Sequence, residues 1–290
     1  MKEIRARALL IGFVVVFLVS LAGPGTASAR TDLAEARVVR TPDPAPQPTP
    51  RASSSSLAPG VLFDGDSVGS FAMNQSAPGA VQEIEDPTGE AGRVFDLTVH
   101  DSDVYPLTPT DNPRAQLLSP GIIEKGDEFW LGTKFMIPQG FPEVDGWMSL
   151  VSIYGPPFEG TGPWQVDVRG ASLCWQRNED SDWDIPWREP IRYGKWVSIL
   201  LHERFATDGW VEMWIDGKPV TFFAGSETSN PDHHEPTERL HMATVDASND
   251  GGPNAAKIMQ YRQAGMFGVG SVYFGELKIA TTREGAEVTD

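Results

Sequence analysis

Short runs in which apolar and polar side chains alternate recur along the chain: RVFDLTV, AQLLS, EFWLGTKFMI, MSLVSIY, WQVDVR, ASLCWQ, KWVSILLHE, GWVEMWID, PVTFF and SVYFGELKIA, bounded by Gly, Pro, Asn or Asp. A period of two is what a strand with one buried face produces, and the bounding residues are those that turns demand. No stretch sustains a convincing amphipathic helix. In GWVEMWIDGKPV, Trp210, Glu212 and Trp214 alternate with Val211, Met213 and Ile215 ahead of Asp216-Gly217, the signature of a tight hairpin. Strands in this number, with turns at this spacing, predict an all-β domain of two stacked antiparallel sheets, a β-jelly roll sandwich.

The pattern fails before residue 61. Lys2, Arg5 and Arg7 precede an apolar run from Ala8 to Ala22, then Ala27-Ser28-Ala29; this is the order of a secretory signal peptide over residues 1–29. The run is 15 residues long, short of the roughly 20 a bilayer span requires, so cleavage is expected rather than a retained anchor. Residues 30–60 carry spaced prolines and a serine run with no period, which predicts a disordered Pro/Ser-rich linker. That leaves 61–290 as one domain, expected to be secreted and monomeric.

Charge narrows the partners. Of 23 Lys/Arg and 40 Asp/Glu, seven and four fall in residues 1–60, leaving 16 and 36 in the domain, a net −20. Such a field repels nucleic acid and anionic membranes, and it weakens the case for a highly sulfated ligand. Cys174 is the single cysteine; no intramolecular disulfide is possible, and a buried structural thiol is expected.

Near the C-terminus, an extended NAAKIMQYRQAG places Lys257, Met259, Tyr261 and Gln263 on one face, with Ile258, Gln260 and Arg262 on the other. An amine, a phenol and an amide on one face suit a polar cleft floor as well as a solvated face. Gln165, Asp167 and Arg169 likewise share a face opposite Val166 and Val168. Trp130, Trp196 and Trp214 lie in periodic strands and read as core; Trp183 and Trp187, in NEDSDWDIPWREP, read as loop residues available to a ligand such as a sugar ring.

GDEFWLGTKFMIPQGFP, WMSLVSIYG, GKWVSILLHERFATDGWVEMWIDGKPV, AKIMQYRQAG and VYFGELKIA stand in an order that resembles polysaccharide lyases of the heparin lyase I type, over about Arg114 to Ala280. That group is similar in fold and chemistry to jelly-roll alginate and glucuronan lyases. The resemblance implies a concanavalin-like sandwich and three site motifs. The Arg-x-Glu motif resembles RAQL here, giving Arg114 and Gln116, with glutamine in place of the acid. The Lys-x-x-x-Tyr-x-Gln motif matches Lys257, Tyr261 and Gln263. The Gln-x-His motif departs, with Ser152 and Tyr154 at its positions.

What the resemblance implies is β-elimination of an acidic, uronate-containing polysaccharide. Such a reaction needs donors that stabilise charge on the carboxylate, a base for the C5 proton and an acid for the leaving oxygen. Arg114 with Gln116 or Gln263 suits the first task. Tyr261, acidified by Lys257 and Arg114, suits proton transfer, with Tyr154 as partner where an imidazole is missing. Gln165 and Arg169 become substrate-binding candidates. Loss of that imidazole also supports an alternative, a non-catalytic carbohydrate-binding domain.

Other readings compete. A glycoside hydrolase would need two close carboxylates; Glu212 and Asp216 share a parity, although Asp216 reads as a turn residue. Asp232, His233, His234, Glu235 and His241 contain metal-ligand types without a defined spacing. Asp246 to Asn254 is oxygen-rich enough for calcium but lacks the full EF-hand pattern; no cofactor is expected. His202, in a periodic strand, reads as a satisfied structural histidine.

Overall fold

The computed structural model describes residues 57–156, 162–179, 182–223, 236–245, 252–266 and 268–288. The expected signal and most of the expected linker therefore lie outside the described residues, as do Asp232 to Glu235 and residues 246–251. In chain order the strands are β1 (Val61–Gly65), β2 (Met73–Asn74), β3 (Val81–Glu85), β4 (Arg93–His100), β5 (Arg114–Leu118), β6 (Glu128–Met136), β7 (Val144–Tyr154), β8 (Trp164–Gly170) and β9 (Ser172–Glu179). They continue as β10 (Asp182–Pro190), β11 (Trp196–Arg204), β12 (Trp210–Ile215), β13 (Lys218–Pro219), β14 (Phe222–Phe223), β15 (Pro236–Thr237), β16 (Arg239–His241), β17 (Ala255–Arg262) and β18 (Val269–Ala280). The one α-helix among the described residues is a single turn, α1 (Arg283–Ala286), capped by Thr282.

Two large antiparallel sheets account for nearly all of these strands, as the alternation predicts. The first runs β13-β12-β11-β6-β18-β4-β3, with β1 on β18 and β16 on β12; the second runs β10-β9-β8-β7-β17-β5-β2. Their inner faces build one core. Phe129, Leu131 and Phe135 of β6, with Val197, Ile199 and Leu201 of β11, meet Val166 and Val168 of β8 and Ala256 and Ile258 of β17. Trp164 and Trp175 stack within it, ring centroids 4.5 Å apart. Large flat rings bury the most apolar area per residue, so they anchor a core that has no disulfide to help it. Cys174 is indeed buried, its thiol against the Ser172 carbonyl oxygen at 3.9 Å.

The tryptophans expected in the core are elsewhere. Trp130, Trp196 and Trp214 have the opposite parity to the inward residues of β6, β11 and β12, and so lie on the outer face of the first sheet. Trp130 and Trp214 pack there against Leu200, Ala280 and Ala286, and Trp196 donates its indole N–H to Asp86, 3.1 Å away. Bulk alone does not say which face of a strand is buried; β-branched and phenyl residues on the alternate positions decided it. The segment read as a tryptophan-bearing loop is instead β10, with an irregularity between Asp184 and Trp187. Trp187 is half-buried against the core, and the side chain of Trp183 lies outside what the structure describes.

The hairpin reads as expected. Asp216 (φ 49°) and Gly217 (φ 72°) both occupy the left-handed region that a two-residue turn of this hand demands. Asp216 also accepts from the Ser198 backbone amide at 2.9 Å and pairs with Arg192. His202 is satisfied as expected, bridging Glu212 at 3.1 Å and Glu128 at 3.0 Å.

Candidate active site

The outer face of the second sheet is polar where its inner face is apolar. Strand register sets side chains from separate strands into lateral rows. Asp167 on β8 stands opposite Ser149 on β7, Ser149 opposite Tyr261 on β17, and Tyr261 opposite Arg114 on β5. A second row runs Gln165, Ser152, Lys257. Neighbouring strands lie about 4.8 Å apart, so residues remote in sequence become neighbours across the face. This is how β5, β7, β8 and β17 bring most of the expected residues together.

At one end, the Arg114 guanidinium lies 4.7 Å from the centre of the Tyr261 ring. Trp147 meets the same ring edge-on at 5.0 Å. Asp111 holds both: one carboxylate oxygen pairs with Arg114, and the other accepts the Tyr261 hydroxyl at 2.9 Å. Arg114 is buried, while Tyr261 is half-buried and the most open of the four candidate catalytic residues.

In the middle, Lys257 is buried and its Nζ sits 3.9 Å over the Tyr154 ring. It donates to Gln75 at 3.1 Å and to Gln116 at 3.3 Å. Tyr154 accepts from Gln165 Nε2 at 2.9 Å, and Ser149 donates to Gln165 Oε1 at 2.8 Å. Burial, then the nearby Tyr261 and Asp167, push the Tyr154 phenol above its ordinary range. Burial also pushes the Asp167 carboxyl up to about 7, against the pull of Ser149 and Arg169.

Three expected residues stand apart from this centre. Ser152 is on the face but spends its hydroxyl on the Trp164 carbonyl oxygen. Arg169 turns to Gln176, 2.7 Å away. Gln263 is exposed just past the end of β17, beside Gly146. The sequence reading missed Asp111 and Gln75 and did not single out Ser149. Asp111 lies three residues before Arg114, a visible signal; Gln75 lies 182 residues before Lys257, and no local pattern announces it.

Competing sites have less to offer. Glu212 is held by Arg239 at 2.8 Å as well as by His202, and Asp216 is committed to its turn. Among the described residues no group of three or more His, Cys, Asp or Glu is placed to hold a metal. His241 is exposed on β16, and Asn254, at the end of the oxygen-rich segment, is buried in a bridge to Ile123.

The protein is a two-sheet jelly roll with a row of cation, phenol and amide groups across one face. The family model for polysaccharide lyases matches residues 64–242, more than half of the chain, and the chain belongs to that family. β17 lies beyond the matched stretch and joins the site through its pairing with β5 and β7. Among curated proteins no sequence relative matches. Among solved structures, the chain is similar to an endo-β-1,4-glucuronan lyase from the fungus Trichoderma reesei, with a TM-score of 0.57, 16% identity, and coverage of 78% of this chain and 98% of that one. An alginate lyase from Chlorella virus gives a TM-score of 0.49, 11% identity, and coverage of 77% and 100%. A family-7 alginate lyase gives 0.47, 12%, and 69% and 83%.

Family membership makes the function that of a lyase on uronate polysaccharide. Elimination needs a C–H made acidic by a neighbouring carboxylate, which a neutral sugar lacks. A purely sugar-binding role and a hydrolase are correspondingly disfavoured.

Proposed function

We propose that this protein is secreted and cleaves a uronate polysaccharide by β-elimination, with Arg114, Tyr261, Lys257 and Tyr154 as its catalytic group. Arg114 and Gln116 stabilise the negative charge that spreads into the uronate carboxylate as the C5 proton leaves. Tyr261 transfers protons: its phenolic oxygen takes the C5 proton, the C4–O4 bond breaks, a C4–C5 double bond forms, and the proton the hydroxyl already carried goes to the departing O4. The observation that carries this reading is the packing of Arg114 against a half-open Tyr261 within one lateral row.

Tyr154 takes a different part from that of the imidazole it replaces. A phenol whose ionisation is opposed by burial remains protonated near neutral pH, so Tyr154 supports the site through Gln165 rather than acting as the base. Lys257 over its ring fixes its position and adds positive potential. Gln165 orients Tyr154, Ser152 forms part of the buried floor beneath the substrate, and Arg169 and Gln263 extend the substrate-binding face outward.

Similarity to a glucuronan lyase supports glucuronan as the first polymer to test. The finer assignment to the heparin lyase I type rests on the order of sequence segments, and a domain net charge of −20 sets a highly sulfated chain behind glucuronan and alginate. The remaining parts of the reading are an export signal over 1–29, a flexible spacer over 30–60 and a monomeric domain over 61–290. Proton NMR of a glucuronan digest tests the chemistry. The reading expects the vinylic H4 signal of an unsaturated terminal uronate, whereas new reducing ends without that signal would replace it with hydrolysis.

A further inference from the structure

The Asp111 carboxylate is joined to both Arg114 and Tyr261. It arrives on the segment between β4 and β5, which also carries Tyr105, whose ring centre lies 5.9 Å from the Arg114 guanidinium. Local bonds shape this segment: Asp111 N–H donates to the Thr108 carbonyl at 3.1 Å, and Asn112 Oδ1 accepts from Ala264 N–H at 3.1 Å. The Asp111 carboxylate thus accepts from a guanidinium and a phenolic hydroxyl at once, the two groups that the reading above sets against a uronate's carboxylate and its C5.

We propose that Asp111 is an internal competitor for the substrate carboxylate: it occupies the anion position between Arg114 and Tyr261, and a uronate residue must displace it to react. The inference rests on the proposed assignment of those two residues. Chemical class sets the occupant, since a planar carboxylate matches the two-donor fork of arginine and a hydroxyl beside it.

The competition is intramolecular, so its strength follows the fraction of molecules in which Asp111 is withdrawn. Apparent affinity falls by that fraction; a contact made about nine-tenths of the time weakens uronate binding about tenfold. A positioning role would leave a different mark. If Asp111 instead held Tyr261 in its reactive orientation, removing it would lower kcat and leave binding unchanged.

The test uses the full chain with Asp111→Ala, and with Asp111→Asn as the gentler variant should Ala unfold it. Free glucuronate is titrated into each protein and followed by intrinsic tryptophan fluorescence and by the shift in Tm, readouts that require no turnover. The proposal expects glucuronate to bind and stabilise the variants with Kd at least about tenfold below that of the wild type. With glucuronan as substrate, it expects KM to fall in the variants and kcat to hold or rise. Equal glucuronate affinity in variant and wild type overturns it, and so does a fall in kcat at unchanged KM. Should no protein form unsaturated product from any uronate polymer, the catalytic reading fails separately, while the glucuronate titration still decides whether Asp111 fills an anion site.

Discussion

Tyr261 shows how little a residue type says until its neighbours are known. Its phenol is half-open, beside Arg114 and on Asp111, whereas that of Tyr154 is sealed under Lys257 and Gln165. Tyr261→Phe removes the group that moves protons and is expected to lower kcat by about 10²–10⁴-fold with little change in Tm, measured by product absorbance and thermal melting.

A second residue-scale expectation concerns Glu203, fully buried on the inward face of β11. Burial lifts its carboxyl from an ordinary 4.5 to about 8, against the pull of Trp164 and Thr244. The folded state then binds more protons than the unfolded chain between those values, so stability falls as pH rises through that window. Glu203→Gln should leave Tm unchanged at pH 4 and raise stability at pH 9 by on the order of 2–4 kcal/mol. A wild-type Tm that climbs from pH 5 to 8 in step with the variant would refute the assignment.

At the scale of elements, the second sheet makes the site by register. Lys257, Tyr261 and Gln263 could be read on one face from sequence because a strand fixes parity, whereas Arg114 and Gln116 came from the resemblance of RAQL to a lyase motif. Their mutual placement could not be read so, because lateral rows depend on which strands pair and where bulges fall. β7 carries such an irregularity between Ser149 and Val151, which sets Ser149 and Ser152 on one face despite their odd separation. Tryptophan placement was illegible for a related reason: on β6, Phe129 and Trp130 are both large and apolar, and only the pattern along the whole strand separates inner from outer.

The outer face of the first sheet offers an element-level test far from the chemistry. Gly132 lies under α1, and a methyl group there would run into the Ala286 carbonyl. Gly132→Ala is expected to lift α1 from Trp130 and Trp214 and to cost about 1–3 kcal/mol, seen as a lower Tm. The initial rate at low temperature should be retained, since the change lies on the sheet opposite the site.

For the whole molecule, charge sets the long-range behaviour and the site works against it. An acidic domain approaching an acidic polymer is repelled until close contact, where Arg114 and Lys257 take over. Salt screens the distant term first, with a screening length near 8 Å at about 0.15 M. Raising ionic strength from about 10 mM to 150 mM is therefore expected to lower KM on a uronate polymer. A KM that rose with salt would mean local attraction dominates from the start.

The central claim is that Tyr261 moves the proton in an elimination. Its most direct measurement is ultraviolet absorbance of unsaturated uronate during incubation of glucuronan with the wild type and with Tyr261→Phe at equal folded concentration. The account predicts a steady rise for the wild type and almost none for the variant. Equal rates from the two proteins would contradict it.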